Sequence, residues 1–193
     1  MLKMIFVSFW YLLPAALGNH VASCGNRLPV PGTVKSFLMR LDLPIDQGKT
    51  LGGREILGKN KTWRGLIVGG VTGIFVAGVQ AILYYSFEFF RDNTVIDYGK
   101  INFILLGILM GEGALLGDLI ESFIKRRMGK PSGKPWFPWD QADWIIGAML
   151  LSSLVFVPPV KLAAVTLGLY IVVHLCSDRI VCYMGIKKRC EVN

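Results

Sequence analysis

Histidine, paired cysteine and evenly spread charge are all scarce in this sequence. The two histidines, His20 and His174, stand alone at a helix end and in an apolar run, and both read as structural. The four cysteines, Cys24, Cys176, Cys182 and Cys190, include no CxxC pair and have no histidine at metal-ligand spacing. They read as free thiols in or near helices rather than as a disulfide or metal site. Only 18% of the residues are charged, and these fall between bunches of apolar ones. What is plentiful is apolar: 53% of 193 residues, with a mean hydropathy of +0.50. That exceeds the roughly 45–50% of soluble domains and predicts an all-α integral membrane protein forming one membrane domain over residues 1–193, not a soluble core. The net charge is +8. A positive-inside bias and phosphate ligands account for it without a nucleic-acid partner.

Five spans are expected, over residues 2–22, 66–87, 101–120, 144–157 and 160–181. The first holds Lys3 and Pro14 and ends at Val21-Ala22-Ser23-Cys24, which looks like a lipoprotein cleavage box. Its length and single leading lysine favour a retained helix over a cleaved signal. In the second, Gly65, Gly69, Gly70, Gly73 and Gly78 recur at small-xxx-small spacing and predict close helix packing, with a lipid groove as the alternative. The third is interrupted by Glu112 and Asp118, and charged groups inside a span point to function. Glu112, between Gly111 and Gly113, reads as a supporting group or as protonated against a neighbouring helix. Eight Lys/Arg lie in the 23–65 loop, five in 121–143 and four after residue 178, against two in 88–100 and one in the 158–161 turn. This bias places the N-terminus outside, the C-terminus in the cytoplasm and both long loops on one side, where they form one active site.

The stretch 117–143, GDLIESFIKRRMGKPSGKPWFPWDQAD, organises the rest. Carboxylates stand at its two ends and cations between, the set needed for a metal-bound polyphosphate. If the third span continues as a helix past Asp118, then Asp118, Glu121, Ser122 and Lys125 share a face. An amphipathic helix end with a Glu121–Lys125 pair would give the same pattern. The Gly/Pro-rich part, 129–138, is expected to be an ordered loop or lid, with Trp136, Phe137, Trp139 and Trp144 seated in the membrane interface. Asp140 and Asp143 then serve either as helix caps or as metal ligands facing Asp118. Asn60, Lys61, Thr62 and Arg64 open the second span, where helix N–H groups and donors suit phosphate or ribose. A simple positive-inside flank fits them too.

GDLIESFIKR at 117–126 resembles the core of the CDP-diacylglycerol synthase signature, GDL-x-ES-x-x-KR, which is followed by a loop and a D-x-x-D pair, here Asp140 and Asp143. NKTWRG at 60–65 is similar to that family's S-P-x-K-T-x-E-G segment. The smaller archaeal branch, the CDP-archaeol synthases, fits more closely, through a PID-x-G element at 44–48 and an R-x-ILG-x-NKT-x-RG element at 54–65. Gln141 stands where the larger enzymes carry arginine, and Pro138-Trp139 precede the pair in place of a longer glycine- and histidine-containing loop. The resemblance implies a cytidylyltransferase of the cell membrane that joins CTP to a polyprenyl ether-lipid phosphate, an unsaturated archaetidic acid, and releases pyrophosphate. It implies Mg²⁺, two ions with CTP, held by Asp118 and Asp143 with Asp140 assisting. Lys125 and Arg126 would bind the acceptor phosphate or pyrophosphate, and Asn60, Lys61, Thr62 and Arg64 would hold CTP. Asp46, Arg54, Glu121 and Ser122 follow as supporting candidates. A CTP-dependent polyprenol kinase is the alternative enzyme, distinguished by CDP as its product. A small transporter is the non-enzyme alternative, and the apolar second and fourth spans speak against a watery path. A CDP-alcohol phosphotransferase is rejected, because Trp144-Ile145-Ile146 replaces the Gly and Ala-Arg that its motif requires.

Overall fold

The computed structural model describes residues 1–24, 30–134 and 136–183, with side chains through Cys176. It is built from α1 (Leu2–Ser23), α2 (Gly32–Arg40), β1 (Thr50–Leu51), β2 (Arg54–Glu55), α3 (Trp63–Ser86), α4 (Glu88–Asp92), α5 (Phe103–Arg127), α6 (Trp139–Ser152) and α7 (Val160–Tyr183). Three of these helices, α1, α3 and α5, are long and apolar enough to cross a membrane. At 1.5 Å per residue α3 spans about 36 Å, whereas α6, with 14 residues, reaches only about 21 Å. α7 is apolar over Val160–Cys176, the part whose side chains are described. The tail cations Lys187, Lys188 and Arg189 lie outside the described residues, as do the side chains of Asp178, Arg179, Cys182 and Cys190. Cys24 and Cys176 are free thiols.

Capping residues set the ends of the two central helices. Thr62 Oγ1 accepts from Gly65 N at the start of α3, and Asn102 Oδ1 accepts from Ile104 N and Leu105 N at the start of α5. α5 runs seven residues past the expected end of the third span. It stops only where Gly129 turns left-handed at φ +77° and Lys130 N bonds back to Lys125 O at 2.9 Å. Residues 121–127 are therefore helix, not loop.

α1, α3, α5 and α6 pack round a core of Tyr11, Leu12, Leu106, Met110, Ile145 and Ala148. Outward faces stay apolar, as Val71, Phe75 and Ile82 on α3 and Ile120 on α5 show. Gly69, Gly70 and Gly73 are buried against α1 and α5, as the small-residue spacing predicts, and Glu112 packs over Gly70. Trp144 departs from its expected interface position. It is buried and edges onto Tyr170 of α7 at 5.4 Å, while Phe137 and Trp139 remain exposed.

The 23–65 segment holds more structure than its irregular composition suggests. Residues 41–45 run antiparallel to 61–64, with Ile45 N on Lys61 O at 2.8 Å and Arg64 N on Leu41 O at 2.8 Å. β1 and β2 form a hairpin with Thr50 opposite Glu55 and Leu51 opposite Arg54. Its two turn residues, Gly52 and Gly53, both have positive φ, at 58° and 74°, as a tight primed turn requires.

Candidate active site

The C-terminal half of α5 presents one polar stripe inward. Glu121, Ser122, Lys125 and Arg126 are each buried, at 4–6% exposure, and Asp118 lies half-buried one turn before them. α6 brings the remaining carboxylates to this stripe. The approach depends on Gly117 and Gly147, because a Cβ on Gly117 would run into the backbone carbonyl of Asp143. Two glycines in register let the helix backbones meet, and Asp143 arrives beside Asp118.

Asp118, Glu121 and Asp143 each offer a carboxylate oxygen within 4.8 Å of the other two. Three like charges so close repel unless a cation or a proton lies among them. The donor set is oxygen only, which suits a hard divalent cation. Glu121 thus joins Asp118 and Asp143, and Asp140 lies beside Glu121 with further partners of its own. Its Oδ1 pairs with Lys125 Nζ at 2.8 Å, and its Oδ2 accepts from Trp136 N at 2.6 Å. Lys125 also lies 3.3 Å from Glu121 Oε1, so one buried ammonium holds a carboxylate from each helix. Arg126 donates to Lys130 O. The phosphate-binding positions expected at 125 and 126 are thus engaged with protein partners.

The cation nearest the carboxylates comes from the other loop. Lys61 Nζ lies 2.5 Å from Asp118 Oδ2, and Arg64 Nη1 lies 3.2 Å from Asp42 Oδ2. Sequence reading grouped Lys61 and Asp118 in one site without pairing them, and it passed over Asp42. Asn60, Lys61, Thr62 and Arg64 do share a wall with Asp118, around a pocket of about 450 Å³ at the shared end of α1, α3 and α5.

Two residues organise the 41–64 segment, Asp46 from within it and Arg127 from α5. Asp46 is buried and accepts backbone N–H bonds from Gly48 at 3.0 Å, Leu57 at 2.9 Å and Gly58 at 3.1 Å. Burial raises its pKa, but these donors outweigh that and bring it below the ordinary carboxylate range. Arg127, which sequence reading took only as part of a basic run, spreads its guanidinium over the hairpin carbonyls of Leu51, Arg54 and Glu55. Arg54 returns the contact by donating to Arg127 O at 2.7 Å. The signal available for the hairpin was the Gly52-Gly53 pair between short flanks.

The fold and the site together define a helical membrane protein with acidic and basic groups gathered at one end of the bundle. Over residues 1–190 the chain matches the CarS-like family, described as CDP-archaeol synthase, and it belongs to that family. It is 33% identical over 191 residues to the CDP-archaeol synthase of Methanocaldococcus jannaschii, covering 96% of each chain. It is 36% identical over 162 residues to that of Thermococcus kodakarensis, covering 83% of this chain and 78% of the relative. In fold it is similar to a solved intramembrane enzyme for archaeal membrane lipids biosynthesis, with a TM-score of 0.60 and 23% identity, over 88% of this chain and 91% of the other.

Proposed function

We propose that the protein transfers a cytidylyl group from CTP to an unsaturated ether-lipid phosphate at the cytoplasmic face of the cell membrane, forming CDP-archaeol and pyrophosphate. The protein is read as one multi-pass membrane domain with five spans and an outside N-terminus. The observation that carries the reading is the Asp118, Glu121 and Asp143 cluster, whose Asp118 pairs with Lys61 and lines the pocket with it. The family membership supports the choice of reaction.

An ionised phosphate oxygen of the lipid attacks the α-phosphorus of CTP. One P–O bond forms, the bond to the oxygen bridging the β-phosphorus breaks, and its electron pair leaves with pyrophosphate. The acceptor is already an anion, so no strong base is required. The difficulty is repulsion between two polyanions. Mg²⁺ held by Asp118, Glu121 and Asp143 would supply charge neutralisation and orientation of the phosphates. Lys61 has Asp118 on one side and the pocket on the other, so it reaches a phosphate oxygen with little movement. Lys125 and Arg126 exchange protein partners for acceptor or pyrophosphate oxygens as charge arrives. Asp140 holds Lys125 in place until then, and keeps Trp136 at the start of α6.

The test is pyrophosphate release by the purified protein in detergent with CTP, Mg²⁺ and the lipid phosphate. Lipid-dependent pyrophosphate is expected, and it should vanish with EDTA and fall by about 10²–10³-fold in Asp118→Asn. CDP in place of pyrophosphate would overturn the transferase in favour of a kinase.

A further inference from the structure

The pocket has one wall that the motifs do not reach. The last turn of α1 contributes Asn19, Ala22 and Ser23 to it, opposite residues of the 59–66 segment and of α5. This wall has no charged group, whereas the rest of the lining carries Lys59, Lys61 and Arg64 together with Asp42 and Asp118. At about 450 Å³ the cavity is the size of a small-molecule site. Among the described residues, the carboxamides of Asn19 and Asn60 have no hydrogen-bond partner, although both line the cavity. Leu66, Leu115 and Leu119 add apolar surface. Next to Asn19, Gly18 packs so tightly that a Cβ there would lie 2.9 Å from Gly69 O and 3.5 Å from Gly111 Cα, which fixes α1 against α3 and α5.

A nucleotide is also divided in this way. Its phosphates need cations, while its base needs neutral groups that both donate and accept, and apolar surface for its faces. We infer that α1 forms the nucleoside subsite of the donor pocket, with Asn19 as a specificity-determining residue that hydrogen-bonds the pyrimidine edge. The inference rests on the cytidylyltransferase reading and adds the first helix, outside every recognised motif, to the substrate-binding machinery.

Equilibrium binding of CTP, with Mg²⁺, to the full-length protein in detergent tests this without any lipid. Asn19→Ala is expected to weaken CTP about tenfold, the effect of one lost neutral hydrogen bond. Cytidine, which carries no phosphate, should compete with CTP on the wild type and lose that competition in the variant, while competition by pyrophosphate stays unchanged. Asn19→Asp keeps the side-chain shape and serves if the alanine variant unfolds. Its cytidine competition should change while pyrophosphate competition persists. Unchanged CTP and cytidine binding in a folded variant overturns the assignment, and so does a rise in the KM for the lipid phosphate with CTP binding intact. Wild-type protein that binds CTP but releases no pyrophosphate would sink the transferase reading and leave the nucleoside wall to be judged on the binding data.

Discussion

The two ends of the helical bundle handle buried polarity in opposite ways. At the α3–α5 connection every polar group invoked is matched by a neighbour. Gln80 Nε2 donates to Trp10 O at 2.6 Å, Tyr98 Oη donates to Gln80 Oε1 at 2.9 Å, and Asp97 accepts from Tyr84 Oη at 3.1 Å and Gly99 N at 3.0 Å. These bonds tie α1, α3 and the connection together. At the other end Asp118, Glu121 and Asp143 crowd together, and the buried oxygen Gln141 Oε1 makes no hydrogen bond. The first group of polar atoms is satisfied within the chain, whereas the three carboxylates outnumber the lysines beside them, Lys61 and Lys125. Active sites commonly trade stability for such arrangements.

The largest way to break this contrast is Asp143→Asn. Activity should fall about 10²–10³-fold, while the melting temperature without divalent cation stays level or rises, because one repelling charge is gone. The Mg²⁺-dependent rise in melting temperature should shrink with it. A fall in melting temperature without cation would mean that the cluster stabilises the fold. At the quiet end, Gln80→Leu should do the reverse. It leaves the buried Tyr98 hydroxyl unpaired, at a cost of about 1–3 kcal/mol in unfolding, and leaves the KM for CTP unchanged. Altered CTP kinetics would show that the two ends are coupled.

The smallest effect expected is with pH. Asp46 has its folded-state pKa lowered, so its bonds to the 48–58 backbone contribute stability above its ordinary value of 3.8, and that contribution is lost as pH falls through the lower folded value. Protease cleavage between residues 47 and 60 should therefore increase below about pH 4 in the wild type. In Asp46→Asn cleavage should be raised already at neutral pH and change less with acid. Equal protection of both proteins at neutral pH would remove Asp46 as the organiser of this segment.

Much of this was legible in the chain. Bunched apolar residues indicated a helical membrane protein, and the i, i+3, i+4 spacing of Asp118, Glu121, Ser122 and Lys125 put them on one face, as observed. Helix periodicity is local, so it can be read without the fold. Hydropathy alone understates α5, because charged residues 121–127 look like loop to such a pattern. Their burial against α6 and the hairpin keeps them helical. The hairpin at 50–55 was passed over, since two-residue strands give almost no alternation.

Sequence alone determined the residue types, the face of α5 on which they lie and the family resemblance, because each depends on neighbours within a few positions. Tertiary structure decided the partners. It put Glu121 with Asp118 and Asp143, turned Asp140 to Lys125, set Lys61 against Asp118 and laid Arg127 over the hairpin. Each pairing joins residues from separate elements, and the pairing depends on how closely backbones can approach. At Gly117 and Gly147 the absence of a side chain is what allows α6 to bring its carboxylate to α5.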